Sequence, residues 1–220
     1  MKTTGVYIKG EFLSRMSKKE TVVLFQILRI SNSLEFWMRV LVLIPKEQNK
    51  LFEFRNRMEL YFVLISIYKE SIKEFSNHLA AGLLEMNLSE DLKRNISEYT
   101  EWLSSWKENE YLQIVDRIRN CLRFHMKPCI YEKYIKDGNK SKDLLVGVAD
   151  GDRFMDFLFT EPYTVEFSYI AEIVPDIDGK DKIDWIQERA AEETIRFIKL
   201  LREIIREIFK DNSYKKIIDI

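Results

Sequence analysis

Two histidines occur in the 220 residues, and only one has neighbours that could make it work as an acid or a base. His78 lies between Asn77 and Leu79 with no cationic or nucleophilic group spaced to act with it, so an ordinary place on a helix accounts for it. His125 closes the string Arg119-Asn120-Cys121-Leu122-Arg123-Phe124-His125. On an ideal helix it falls in the middle of the face made by Ile114, Ile118 and Leu122, and an imidazole partly withdrawn from water there can take or give a proton near neutral pH. Around it stand Arg117, Arg119, Arg123, Lys127, Lys133 and Lys136, against Asp116 and Glu132. The chain carries a net charge of −1, so this is a basic segment on a nearly neutral protein, a setting that suits a phosphate-bearing ligand.

Long helices must position these residues. Ser17-Lys18-Lys19-Glu20 has the spacing of a capping box and predicts the start of a first helix. Val23, Ile27, Ile30, Leu34, Trp37, Leu41 and Ile44 then recur in steps of four and three until Pro45 closes the stripe. Leu51, Phe54, Met58, Tyr61, Ile65, Tyr68, Ile72, Phe75 and Leu79 repeat the rhythm, which fades towards Met86 and predicts a second helix antiparallel to the first. A third helix runs from Ser89 to about Trp106 on Leu92, Ile96, Tyr99 and Leu103. A fourth, from about Glu110 to His125, carries Tyr111, Ile114, Val115, Ile118, Cys121 and Leu122 on its core face, and Pro128 stops it. Between Asp137 and Lys180 the helical signal breaks. Leu144–Ala149, Phe157–Phe159 and Thr164–Ile173 are β-capable, and a small β-hairpin or irregular insertion is expected around 140–175. The last helix spans about Lys182 to Lys210 on Ala190, Thr194, Phe197, Leu201, Ile204 and Ile208. A second row, Ile195, Ile198, Ile205 and Phe209, gives it a face broad enough to serve a dimer as well. The expectation is an all-α fold, an antiparallel helical bundle of about five long helices, in a single domain over 1–220.

Placed near the end of a helix in such a chain, Arg119-Asn120 followed by His125, with Phe124 just before the histidine, resembles the signature of the HEPN superfamily. Met126 stands where many members have a second aromatic. The resemblance covers about seven residues closely and the helical architecture loosely. It implies a metal-independent endoribonuclease of the kind frequent in toxin–antitoxin, abortive-infection and other antiviral systems, working as a homodimer with the motif of each chain in one cleft. RNA supplies its own nucleophile, the ribose 2′-hydroxyl, so the protein needs only to move protons and stabilise charge. His125 would be the general base or acid. Arg119 would hold the phosphate and stabilise the transition state, and Asn120 would orient the site by hydrogen bonds. Arg123 and Lys127 are the candidate RNA-backbone contacts. Some members have lost activity, and a catalytically inactive helical module binding a protein or a nucleotide is the alternative. An antitoxin or a nucleotidyltransferase is the partner that the toxin reading implies. Six residues on an ideal helix separate Arg119 and His125 by about 120° and about 9 Å along the axis, so the two side chains do not meet on one undistorted helix. An unwound last turn, or a two-fold partner bringing its own copy, would be needed to bring such groups together.

Composition and the remaining motifs exclude other classes. A near-zero net charge argues against a protein held to nucleic acid by broad attraction. Seven glycines and four prolines favour long helices over many turns. Cys121 and Cys129 read as free thiols of a reducing cytoplasm. The first ten residues hold no apolar core of signal-peptide length, and the apolar run 22–44 is interrupted by Arg29, Asn32, Glu35 and Arg39, which makes a membrane span improbable. No cofactor and no metal is expected. Asp176, Asp178 and Gly179 resemble part of a calcium loop, but Val174 and Trp185 occupy its first and twelfth positions. Trp102 and Trp106 read as helix-packing aromatics.

Overall fold

The structure, a computed structural model, describes residues 2–8, 10–43, 50–105, 108–120, 146–148, 157–159, 169–170, 172–176, 181–210 and 213–219. For 2–8, 50–55, 146–148, 157–159 and 213–219 the backbone alone is described. The fold is an all-α helical bundle. In chain order it runs β1 (Lys2–Ile8), α1 (Gly10–Arg15), α2 (Lys18–Val42), α3 (Lys50–Glu74), a π-helical turn (Phe75–Leu79), α4 (Ala80–Glu85), α5 (Glu90–Ser104), α6 (Glu110–Ile118), β2 (Val146–Val148), β3 (Phe157–Phe159), α7 (Lys182–Phe209) and β4 (Ser213–Asp219).

Two compact units share these elements. The first comprises Met1–Glu35, Glu70–Ser105 and Thr194–Ile220, the second Phe36–Lys69 and Trp106–Glu193. Neither is one continuous stretch of chain, so no linker marks either in the sequence.

In the first unit, α2 begins as its capping box predicts. The Ser17 backbone N–H donates to Glu20 Oε2 at 2.7 Å, and the Glu20 N–H donates to Ser17 Oγ at 3.2 Å. These bonds hold the Glu20 carboxyl below its ordinary pKa, the Ser17 hydrogen bonds outweighing slight desolvation. Val23, Ile27, Ile30 and Leu34 are buried, as the four-three rhythm requires. Lys19 bonds Glu85, and Gln26 Nε2 donates to Glu74 Oε1 at 3.1 Å, so the partner falls back along the chain as α2 advances. The two segments are therefore antiparallel. Between those contacts Gly82 lies against Val23, where an added Cβ would come within 2.9 Å of a valine methyl.

The partner of α2 is not one uniform helix. The second predicted stripe is continuous in burial through Ile72, Phe75 and Leu79, but its backbone widens into the π turn before α4. Phe75 meets Tyr99 edge-on at 6.0 Å and Phe197 at 5.3 Å, while Tyr99 and Phe197 stack at 5.3 Å. Leu92, Ile96, Tyr99 and Leu103 of α5 are all buried, as expected from their spacing. Glu207 of α7 accepts from both the backbone N–H and the hydroxyl of Ser89, capping α5 from another helix. Arg196 lies over Tyr99 and Trp102, so Trp102 has the packing role expected of it. The broad face of α7 is only partly covered: Ile198 is buried and Ile195 is 41 % exposed.

β1 and β4 pair antiparallel from Lys2↔Asp219 to Ile8↔Ser213 in this unit, a terminal ribbon that no sequence pattern announced.

In the second unit, α3, α6 and the first part of α7 bury Met58, Ile65, Tyr68, Tyr111, Ile114, Val115, Ile118, Ile186 and Ala190. Tyr68 and Tyr111 meet at 6.5 Å, and Arg189 lies over the Tyr111 ring. The expected small hairpin is present, with Val146–Val148 antiparallel to Phe157–Phe159. The third β-capable stretch is corrected in its second half: 169–170 and 172–173 are helical. The Val174 N–H donates to the Ile170 carbonyl at 2.9 Å, and both side chains are buried. A four-residue apolar spacing ahead of Pro175 satisfies a helical turn as readily as it does a strand, and burial of that pair decides for the turn.

Candidate functional site

α6 sets the geometry at the candidate motif. Asn109 caps it, its side-chain oxygen accepting from the Leu112 N–H at 3.2 Å. Tyr111, Leu112, Ile114, Val115 and Ile118 fix its inner face. At Arg119 and Asn120 the regular α-helix gives way to π-helical backbone. The two side chains meet there: Arg119 Nη1 donates to Asn120 Oδ1 at 2.6 Å. Both residues are half-buried. With its oxygen on the guanidinium, the amide keeps Nδ2 as its donor end, so the pair combines a cation with further N–H groups, the donor set that binds phosphate oxygens well.

Asp116 stands one turn earlier on α6 and forms an ion pair with Lys69 of α3, Nζ to Oδ1 at 3.5 Å. The lysine side chain is 13 % exposed and the aspartate 37 %. Nothing in the sequence joins these residues, which lie far apart along the chain and meet only because α3 packs on α6.

Of the sequence-predicted site, Arg119 and Asn120 are therefore brought together. His125, Arg123 and Lys127 lie outside the described residues, as do Cys121 and Cys129. His78 is exposed and belongs to the other π turn, Phe75–Leu79. Asp176 pairs with Lys182 at 2.8 Å, and that hydrogen bond and charge hold its carboxyl below its ordinary pKa. Asp178 and Gly179 lie outside the described residues. No grouping of His, Cys, Asp and Glu that could hold a metal ion occurs among the described residues. No helix among them is long and apolar enough to cross a membrane.

The first unit holds a cavity of about 970 Å³ whose walls include Phe12, Met16, Met86, Leu92, Arg206 and Glu207. Arg119 and Asn120 take no part in it.

No protein-family model, no curated protein and no solved structure matches this chain.

Proposed function

We propose that this protein is a HEPN-like, metal-independent endoribonuclease acting in the cytoplasm as a homodimer, of the toxin or antiphage-effector kind. The observation that supports this reading is the bonded pair Arg119–Asn120 in a widened turn at the end of α6. Turns of π-helix occur often at functional sites, and both side chains of this one are polar and half-buried. Arg119 would hold the scissile phosphate and stabilise the charge that develops in the transition state. Asn120 fixes the guanidinium from one side. His125 would take the proton of the 2′-hydroxyl or protonate the leaving oxygen, giving a 2′,3′-cyclic phosphate and a free 5′-hydroxyl. Arg123 and Lys127 would contact the RNA backbone. The second chain would contribute its own copy of the motif, and an antitoxin or nucleotidyltransferase partner would hold the activity in check.

The test is incubation of the full chain with mixed RNA in EDTA, beside His125→Ala. Cleavage that persists in the chelator, leaves cyclic-phosphate ends and disappears in the variant is the expected result. No cleavage by the native protein, or equal cleavage by His125→Ala, overturns the reading; RNA binding without cleavage would leave a binding module in its place.

A further inference from the structure

The end of α2 is apolar on nearly every side. Seven of the eight residues 36–43 are apolar, and Arg39 is the one charge among them. A helix of that kind is ordinarily buried. Trp37 and Leu41 also continue the core rhythm of Val23, Ile27, Ile30 and Leu34. Those four are buried, yet no residue of 36–43 is. Phe36 is 57 %, Val42 81 % and Leu43 75 % exposed, while Trp37, Met38, Val40 and Leu41 are half-buried. The Leu43 N–H donates to the carbonyls of Arg39 and Val40, so Leu43 continues the helix and shares one face with Phe36 and Val40.

We infer that this end of α2 is the face through which two copies of the chain associate. Phe36, Val42 and Leu43 alone leave on the order of 350 Å² open, nearly half of the about 800 Å² that each partner of a stable pair buries. The half-buried side chains around them add to it. A two-fold pair needs a patch that matches itself. Phe36, Val40 and Leu43, at i, i+4 and i+7, make a ridge that can interlock with an identical antiparallel helix, and none of the three brings a charge to be neutralised. Phe36 also meets Trp37 edge-on at 5.3 Å, which holds its ring at the surface as a preformed aromatic anchor, the type of residue that dominates interface energies. A lipid surface fits less well. A helix lying on one carries a strongly basic face opposite its apolar one, and 36–43 has Arg39 alone. The second row of α7, the other broad apolar face, is mostly covered, with Ile195 its one exposed residue. The inference stands apart from the ribonuclease reading, which calls for a dimer without saying where its face lies.

The experiment is sedimentation equilibrium of the full chain, native and with Phe36→Glu plus Leu43→Glu. The native chain is expected to be dimeric. The double variant should associate roughly a hundredfold more weakly, through lost apolar anchors and like charges brought together. Its far-ultraviolet circular dichroism should match the native, since both side chains are exposed in the single chain. Phe25→Glu, on the same helix and 55 % exposed, should remain dimeric. A native chain still monomeric at about 100 μM, a double variant that dimerises as the native does, or a Phe25→Glu that dissociates as readily each overturns the inference. So does flotation of the native chain with phosphatidylglycerol vesicles that the double variant fails to join, which would make the patch a lipid contact. If the double variant does not fold, Leu43→Glu alone decides. Undiminished RNA cleavage by a monomeric variant would count against the two-chain cleft of the ribonuclease reading and leave this face standing.

Discussion

Among the described residues two stretches of backbone are π-helical, and their surroundings differ. Phe75–Leu79 lies within a run of helix that continues on both sides, and its Phe75 and Leu79 are fully buried. Its widened turn seats Phe75 against Tyr99 and Phe197, so aromatic packing accounts for it. Arg119–Asn120 comes at the end of α6, half-buried, with a guanidinium bonded to an amide. Apolar packing gives no reason for that pair. The same backbone irregularity serves a core in one place and presents polar donors in the other, and the residue types tell which is which.

The difference predicts opposite consequences of mutation. Phe75→Ala should cost about 3–5 kcal/mol of stability, as truncation of a buried aromatic does. Chemical denaturation measures this, and RNA cleavage per folded molecule should stay within about twofold because stability, not the site, is lost. Arg119→Ala should do the reverse, lowering the cleavage rate about 10²–10³-fold, as loss of a transition-state donor does. Its unfolding midpoint should move little. A large stability loss in Arg119→Ala with unchanged cleavage of RNA would erase the contrast between the two turns.

Gly82→Ala tests whether packing guides the chain after the core turn. Alanine favours a helix by about 1 kcal/mol over glycine, but its Cβ would stand 2.9 Å from a Val23 methyl on a stiff β-branched side chain. Overpacking of about 1–3 kcal/mol should win, giving a net loss of about 1 kcal/mol. Gly82→Ala with Val23→Ala should show less than the sum of the two single losses. A stabilised Gly82→Ala would mean that α4 moves freely on α2.

The smallest effect should come from the cap of α2, the helix on which that turn packs. Ser17→Ala should cost about 1 kcal/mol at neutral pH. The Glu20 carboxyl has a lower pKa in the folded chain than its ordinary value of 4.5, so its contribution is present above that value and is lost as pH falls through the folded pKa. The stability difference between the native protein and Glu20→Gln should therefore narrow on acidification. A difference that does not change with pH would count against the capping box.

Local periodicity carried most of the helices. The capping box at Ser17 and Glu20, the α5 stripe and the α7 stripe each depend on residues within a few turns of one another, and such contacts can be read from spacing. The Arg119-Asn120 string was legible for the same reason, being local. The terminal ribbon was not: β1 and β4 pair across nearly the whole chain, and neither stretch signals its partner. Residues 169–170 and 172–173 read as β-capable yet are helical, because a short apolar run fits either backbone until its burial is known.

By itself, then, the sequence determined most of the helices, most of their buried faces and the choice of candidate site residues, because hydrophobic period and capping chemistry act over neighbouring turns. Tertiary structure decided that the two ends of the chain pair as a ribbon and that Asp116 meets Lys69. Those arrangements depend on which charges and side chains distant segments bring within a few ångströms, and no local pattern encodes that distance.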